Sequence, residues 1–345
     1  MKSIVSTLLG LTLLFGGVAG AQTPQEDEKV IYLAGGCFWG MEKLMSCVPG
    51  VLDAVSGYAN GTTANPTYGE VCAGDTLHRE TVRVTYDPDQ VSLEALLSVY
   101  FSAIDPAAKN RQGNDVGTQY QSGVYYADEA DRAVIEKVMA TEKERCPNLA
   151  VELSPLTCFY EAEAYHQDYL EKNPGGYCHI GPAAFERAKN LIVDPAAYTR
   201  PTDEALRESL SALQYAVTRE AATEPPFENE YWNQNADGLY VDVTTSEPLF
   251  TSRDKYESSC GWPAFGKSLD DNAMIYSEDT SHFMRRTEVR SRVGNAHLGH
   301  VFPGDPESPT GTRYCINSAA LRFVPLADMD AEGYGDLKPL VEDAG

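Results

Sequence analysis

No Cys-x-x-Cys pair occurs anywhere in the 345 residues, although eight cysteines are present. Its absence excludes a thioredoxin-type redox motif and the usual thiolate pairs of a structural zinc site. Positive charge is also scarce, with 27 Lys and Arg against 51 Asp and Glu, a formal net charge of −24. Nucleic acid is excluded as a partner on that balance, because phosphates attract basic patches. Apolar runs are short except near the amino terminus, where Lys2 precedes the stretch from Ile4 to Phe15 and the small triplet Ala19-Gly20-Ala21 comes before Gln22. That order of charge, apolar core and cleavage chemistry is that of a signal peptide. The alternative, a transmembrane anchor, fails on length, since the hydrocarbon core is about 30 Å thick. No cysteine follows the triplet to take a lipid. The sequence therefore predicts an exported chain, periplasmic or secreted and soluble, without stable membrane insertion, with a signal peptide at 1–21 and a linker at 22–28.

With 43% hydrophobic and 23% charged residues, the chain can bury packed cores, and its length favours two domains. Cys37, Cys47, Cys72, Cys146, Cys158, Cys178, Cys260 and Cys315 in an exported chain first imply structural disulfides. Domains of this size have core enough without staples, so some of these thiols need another explanation. From Lys29 onward short β-rich runs alternate with helical periodicity. Val30–Leu33, Thr81–Tyr86 and Gln121–Tyr126 read as strands; Met41–Cys47, a stretch from Ser92 to Ile104, and Glu129–Arg145 read as helices. Pro195 and Pro201 mark the join, and Thr202 offers an N-cap for a helix through about Tyr215. From Gly238 the signal changes to short strands, such as 239–243, 286–290 and 321–324, between turn residues. The expected architecture is two domains: an α/β domain at 29–180 with a mixed sheet flanked by helices, and a mainly-β domain at 202–328 with two antiparallel sheets. Residues 181–201 would link them and 329–345 would form a tail.

Gly35-Gly36-Cys37-Phe38-Trp39-Gly40 lies between an expected strand and an expected helix start. Free N–H groups and the positive dipole end of a helix favour thiolate over thiol, and a thiolate attacks sulfur or carbonyl centres. Phe38 and Trp39 could wall an apolar slot for a thioether methyl group. A buried structural cysteine at a tight turn is the competing reading. Gly-Cys-Phe-Trp-Gly resembles the signature of the A-type peptide methionine sulfoxide reductases. The resemblance extends through Gly57-Tyr58, Asn65-Pro66-Thr67-Tyr68, His78-Arg79-Glu80 and 111–120, and covers residues 29 to 180. It implies Cys37 as nucleophile, Glu80 as the acid that protonates the sulfoxide oxygen, Tyr68 and Tyr120 as hydroxyl donors to it, and Asp115 as a hydrogen-bond partner near the thiol. Glu80 has the strand parity of Val82 and Val84, so it should face apolar surroundings that favour its protonated form; a solvated strand-end carboxylate is the alternative. Asn173 to Cys178 resembles the family's glycine-rich recycling tail, which implies that Cys178 reaches a sulfenic acid at Cys37, with a fixed disulfide as the other possibility. Cys47, Cys72, Cys146 and Cys158 receive no role; Cys146 and Cys158 could bridge or stay free.

In the second half, strand alternation puts Arg313, Cys315 and Asn317 on one face, where a guanidinium would stabilise a thiolate. If 297–302 is extended, His297 and His300 point to opposite faces, which argues against both ligating one metal; hydrogen-bonded structural histidines are the plain alternative. These segments, with Pro248-Leu249-Phe250, 259–265 and 284–289, resemble the B-type methionine sulfoxide reductases over 202 to 328. The resemblance implies Cys315 as nucleophile, Cys260 as recycling thiol, Trp262 as the methyl wall, and His300, Asn317 and Arg313 arranging and protonating the oxygen. Many B-type domains hold zinc through two Cys-x-x-Cys pairs, and residues 242–246 and 290–294 have none here, so no metal is expected. Pro303-Gly304-Asp305 replaces the family's Pro-Asp-Gly, which puts the acid that assists the histidine in doubt at Asp305.

The expected chemistry is the same in both domains: a thiolate attacks the sulfoxide sulfur, methionine leaves, and the sulfenic acid condenses with a second cysteine. By the resemblance, the first domain takes the S epimer and the second the R epimer. Oxidised proteins would be the substrates, no cofactor is required, and a thioredoxin-like dithiol protein would serve as external reductant. Rival readings are a thiol–disulfide exchange enzyme, which the cysteine spacing opposes, a disulfide-stapled binding module, and a Cys–His hydrolase.

Overall fold

The structure, a computed structural model, describes residues 28–342; the expected signal peptide lies outside the described residues. Ile31 and Leu33 alternate inward on the first strand, β1 (Lys29–Ala34), and open a six-stranded sheet. The other elements of this half follow in chain order: α1 (Phe38–Ser46), β2 (Val51–Ala59), α2 (Tyr68–Ala73), β3 (Arg79–Tyr86), α3 (Leu93–Ala103), the short pair β4 (Arg111–Gln112) and β5 (Asp115–Val116), β6 (Gly123–Tyr126), α4 (Asp131–Arg145), β7 (Glu152–Pro155), β8 (Phe159–Glu161) and α5 (Tyr169–Lys172). Sheet order is β7-β6-β1-β3-β2-β8, antiparallel except for the parallel β6–β7 pair. Ser92 caps α3, its hydroxyl accepting from Ala95 N at 3.0 Å. The sheet is therefore mixed and flanked by helices, as the composition of its strands and helices predicts.

α6 (Pro182–Lys189) falls in the segment expected to be linker. Its Ala184 and Ala188 are buried in the first core with Leu44, Val48 and Leu96. The helix expected from Thr202 to about Tyr215 is two, α7 (Asp203–Ser209) and α8 (Ala212–Glu220). Leu210 turns extended, and Ser211 and Gln214 form a capping box that starts the second helix. An apolar period carried through this break, and the internal cap was the signal passed over.

The second half is strands in two antiparallel sheets. A three-stranded sheet runs β10 (Pro248–Thr251), β9 (Gly238–Asp242), β17 (Leu321–Pro325). A six-stranded sheet runs β11 (Lys255–Tyr256), β12 (Ala264–Phe265), β16 (Thr312–Ile316), β15 (His297–Pro303), β14 (Arg286–Ser291), β13 (Met274–Asp279). Tyr240, Phe250, Phe265, Leu298, Tyr314 and Ile316 fill the core, with Phe250 and Phe265 stacked at 4.3 Å. Residues expected as a tail are packed: Met329, Tyr334 and Val341 are buried against Leu239, Val241 and Val324.

The two halves meet through buried polar contacts. Asp270 Oδ2 accepts from the backbone N–H groups of Ile192 and Val193 at 3.0 and 2.9 Å. Arg292 donates to the Val193 carbonyl at 2.7 Å and pairs with Glu247 at 2.8 Å, both side chains being buried. Removing one member of a buried pair strands the other charge. Arg292→Met is accordingly expected to cost about 3–5 kcal/mol in urea denaturation followed by tryptophan fluorescence.

Candidate active sites

Cys37 sits at the N-cap of α1 with φ −59° and ψ 123°, and is 7% exposed. Gly36 before it has φ +84°, a left-handed turn that a side chain would strain. The turn brings Phe38 N to 3.1 Å from Glu80 Oε2 on β3. Glu80 is 1% exposed beside Val82 and Val84, and its other oxygen, Oε1, has no partner. Burial pushes the Glu80 carboxyl up to about 8, against the pull of the Phe38 N–H, so it holds its proton at neutral pH. Its free Oε1 thus belongs to a neutral acid with a proton to give.

Burial also pushes the Cys37 thiol up, more strongly than the Trp39 backbone N–H pulls it down. This corrects the expectation of a standing thiolate: the helix end offers one donor, but a nearly buried sulfur loses more hydration than that donor returns. Burial thus raises both the Cys37 thiol and the Glu80 carboxyl above their ordinary values.

Tyr68 opens α2, behind a capping box formed by Thr67 and Glu70. Its hydroxyl interacts with the Cys72 thiol, and burial holds it well above the usual phenol range, as for Tyr120. Tyr120, on the turn after β5, interacts electrostatically with Glu80, Cys37 and Asp115. Both phenols therefore remain hydrogen-bond donors. Asp115 lies on the β4–β5 hairpin, where it interacts with Cys37 and Cys178 and takes a bond from the Tyr177 hydroxyl. Cys178 packs against α1, its sulfur 2.9 Å from where a β-carbon on Gly40 would lie. It is a free thiol, as are all eight cysteines, so neither a fixed Cys37–Cys178 bond nor a Cys146–Cys158 bridge exists in this structure.

Phe38 and Trp39 wall the site with residues the sequence did not mark. His166, 1% exposed, has its ring 4.9 Å from Phe38 and 4.5 Å from Tyr68. Its Nδ1 accepts from Trp39 Nε1 at 3.1 Å. Tyr169 stacks on Trp39 at 3.7 Å, and Glu163 accepts from the Tyr58 hydroxyl and the Tyr68 N–H at 2.7 and 2.9 Å. The run Glu163, Tyr165, His166, Tyr169 carried one signal, aromatic and acidic residues crowded beyond β8, which a periodicity reading treats as surface.

In the second half Cys315 on β16 faces His300 on β15 and Ala264 on β12. Cys260 Sγ lies 3.5 Å from Cys315 Sγ, which donates to it. That contact pulls the Cys260 thiol down and, with burial, pushes the Cys315 thiol up. Arg313 pulls both thiols down but is itself held by Asp305 at 3.1 Å and lies 4.9 Å over the Phe302 ring. Asp305 therefore serves the arginine, not the histidine. His300 Nε2 meets Asp279 Oδ2 at 2.8 Å, and Arg286 donates to the same oxygen at 2.6 Å. The acid displaced by the Gly304-Asp305 order is replaced by one from the other side of the sheet.

His297 and His300 do not point apart as their spacing implies. Val289 opposes Gly299 and Arg290 opposes His297, so Leu298 is an extra residue that flips the parity. The two rings lie 5.6 Å apart on one face, each on a carboxylate, His297 on Glu288 at 2.7 Å. Asn317, at the end of β16, donates to the Leu298 carbonyl at 3.0 Å and accepts from Glu224 N at 3.3 Å. Trp262 Nε1 donates to the Glu224 carbonyl at 3.0 Å. Glu224, buried and unmarked by sequence, thus ties the tryptophan to the asparagine.

At the loops where a B-type domain would hold zinc, the donors are oxygen. Asp242 is fully buried and its Oδ1 accepts from Thr244 N and Oγ1, both at 2.7 Å. A β-carbon on Gly294 would lie 2.5 Å from Asp242 Oδ2 and from Thr244 Oγ1. No thiolate or imidazole reaches this point, and a side chain at 294 has no room, so the residues do not fit tetrahedral zinc. No group of three His, Cys, Asp or Glu residues suited to a metal occurs among the described residues.

A sequence family described as peptide methionine sulfoxide reductase matches residues 29–193, and one described as SelR domain matches residues 210–325. Among solved structures, the reduced form of Mxr1 from Saccharomyces cerevisiae is 37% identical over 46% of this chain and 92% of its own, with a TM-score of 0.44. Methionine sulfoxide reductase A of Corynebacterium diphtheriae is 41% identical over 45% and 79%, with a TM-score of 0.41. Mxr1 in complex with Trx2 is 25% identical over 44% and 91%, with a TM-score of 0.32.

Proposed function

Because the chain belongs to the peptide methionine sulfoxide reductases and carries a SelR domain behind the first, its activity being reduction of the S epimer of methionine sulfoxide by one and the R epimer by the other, we propose that Cys37 and Cys315 are the two nucleophiles. The observation that carries the reading is the neutral Glu80, with an unpartnered oxygen beside a buried thiol. The Cys37 sulfur attacks the sulfoxide sulfur while Glu80 protonates its oxygen, with Tyr68 and Tyr120 donating to that oxygen. Glu80 regains a proton from the Cys37 thiol; the hydroxyl then passes from the substrate sulfur to the Cys37 sulfur, so that a sulfur–oxygen bond forms on Cys37 while the sulfur–sulfur bond made in the attack and the sulfur–oxygen bond of the substrate both break, and methionine leaves beside the sulfenic acid. Thiol plus sulfoxide becomes sulfenic acid plus thioether, with no net proton released. Phe38, Trp39 and His166 face the methyl group.

In the second domain Cys315 attacks and passes its proton to the Cys260 sulfur it already contacts. His300, oriented by Asp279, and Arg313 serve the oxygen, while Trp262 and Asn317 shape the slot. Cys178 and Cys260 then condense with the respective sulfenic acids, releasing water. An external thioredoxin-like dithiol reduces both disulfides, and oxidised proteins are the substrates. No helix among the described residues is long and apolar enough to cross a membrane. Export to the periplasm or beyond is supported by the order of Lys2, the apolar run and Ala19-Gly20-Ala21.

The test is a thiol count on the reduced full chain. Excess of both epimers, without reductant, should lower the eight free thiols by two pairs and release two methionines. A disulfide-stapled binding module would leave the count untouched.

A further inference from the structure

His179 has no part in that chemistry, yet it is the most constrained residue of the recycling tail. It directly follows Cys178, its side chain is 4% exposed, and its Nε2 lies 2.9 Å from the carbonyl oxygen of Gly35, two residues before Cys37. A carbonyl only accepts, so Nε2 carries the ring proton and donates. Nδ1 then has no hydrogen-bond partner. Opposite it, 3.7 Å away, stands Asp115 Oδ2, also buried and also unpartnered. Buried polar atoms are nearly always paired. Two such atoms facing each other mark a contact that closes when a proton or a small shift of the tail is supplied.

The ring lies directly on the turn that carries the nucleophile. A β-carbon on Gly36 would sit 3.1 Å from His179 Cε1, and one on Gly113 would sit 3.5 Å from its Cβ. Tyr177, on the other side of Cys178, bonds the same Asp115. The recycling thiol is therefore bracketed by two residues that converge on one carboxylate, while a side chain at Gly175 before them would meet nothing within 4 Å.

We infer that His179 is a positioning residue for recycling: its imidazole clasps the tail to the Gly35 carbonyl, holding the Cys178 sulfur within reach of Cys37 once Cys37 is oxidised. This rests on the reading of Cys37 as nucleophile and Cys178 as recycling thiol. In the step served, the Cys178 sulfur attacks the Cys37 sulfur, a sulfur–sulfur bond forms and the sulfur–oxygen bond of the sulfenic acid breaks. The departing hydroxyl takes the Cys178 thiol proton and leaves as water. Cys178 is oxidised and the Cys37 sulfenic sulfur is reduced to the disulfide level. Freed from the clasp, the glycine-rich tail spreads its thiol over many positions, and a displaced reacting atom costs about a hundredfold in rate.

The experiment uses the full chain with Cys315→Ser, fully reduced and mixed with the S epimer. Methionine release, the Cys37–Cys178 disulfide and trapping of sulfenic acid by dimedone are followed in a single turnover. His179→Ala is expected to keep the methionine burst but to form the disulfide about ten- to a hundredfold more slowly, leaving Cys37 open to dimedone. His179→Gln, whose amide can still donate to the Gly35 carbonyl, should recover most of the rate. Disulfide formation in His179→Ala as fast as in the parent, or a loss of methionine release equal to the loss of disulfide, overturns the inference. Should His179→Ala melt below the assay temperature, His179→Asn, too short to reach Gly35, carries the same test. A parent chain that releases methionine with Cys37 and Cys178 still reduced would sink the site reading instead.

Discussion

Cys37→Ser is expected to abolish turnover of the S epimer and leave the R epimer untouched, and Cys315→Ser to do the reverse. A serine hydroxyl can neither ionise near neutral pH nor carry the oxygen as a stable sulfenic analogue, so each loss should exceed about a thousandfold in kcat/KM. The selectivity follows from the fold. Cys37 is buried in the core formed by α1, α3 and the first sheet, whereas the residues around Cys315, Tyr314 and Ile316 among them, belong to the second domain's core. Among the described residues, no hydrogen bond between the halves involves either sulfur's neighbours on the nucleophile turn or β16; the contacts at Asp270 and Arg292 join other surfaces. Dithiothreitol-driven assays with each pure epimer read the outcome. Loss of both activities in either variant would refute independent sites.

Glu80→Gln should lower S-epimer turnover by about a hundred- to ten-thousandfold, the usual worth of a positioned general acid. Glutamine keeps the size and can still accept from Phe38 N, but it has no acidic proton for the oxygen. The parent enzyme is active with Glu80 protonated, so its rate should fall as pH rises through about 8. A rate that continues to climb above that point would mean that ionisation of Cys37, not the proton on Glu80, limits the step. Stability has the same sign. The folded carboxyl titrates higher than the unfolded one, so the native state keeps its full advantage below the ordinary carboxylate range and loses it as pH rises towards about 8. Thermal melts should place Glu80→Gln above the parent at about pH 9 and close to it at about pH 4.

How far the sites were legible depended on how local their causes are. Gly36 and Cys37 occur between a strand and a helix, and backbone sterics with helix-end chemistry make that turn readable residue by residue. Glu80 was readable from parity, because β3 keeps an unbroken register from Val84 back to Glu80. Parity failed at His297 and His300, where a bulge at Leu298 shifted the register. Asp305 was misplaced for a related reason. A partner for His300 is chosen by the order of strands in the sheet, and the edge strand β13, beyond β14, brings Asp279 from 21 residues upstream.

By itself the sequence determined the two-domain plan and the strand and helix preferences, which follow from local propensity, alternation and spacing, and it pointed to the two nucleophile candidates and their chemistry through the motifs in which it resembles a family. Only the tertiary structure decided desolvation and partnership: that burial raises both Cys37 and Glu80, that Cys260 and Cys315 touch, that His166 and Tyr169 pack against Phe38 and Trp39, and that His179 meets the Gly35 carbonyl. Those properties depend on desolvation and on distances between residues far apart in the chain, and neither quantity exists until the sheets have packed.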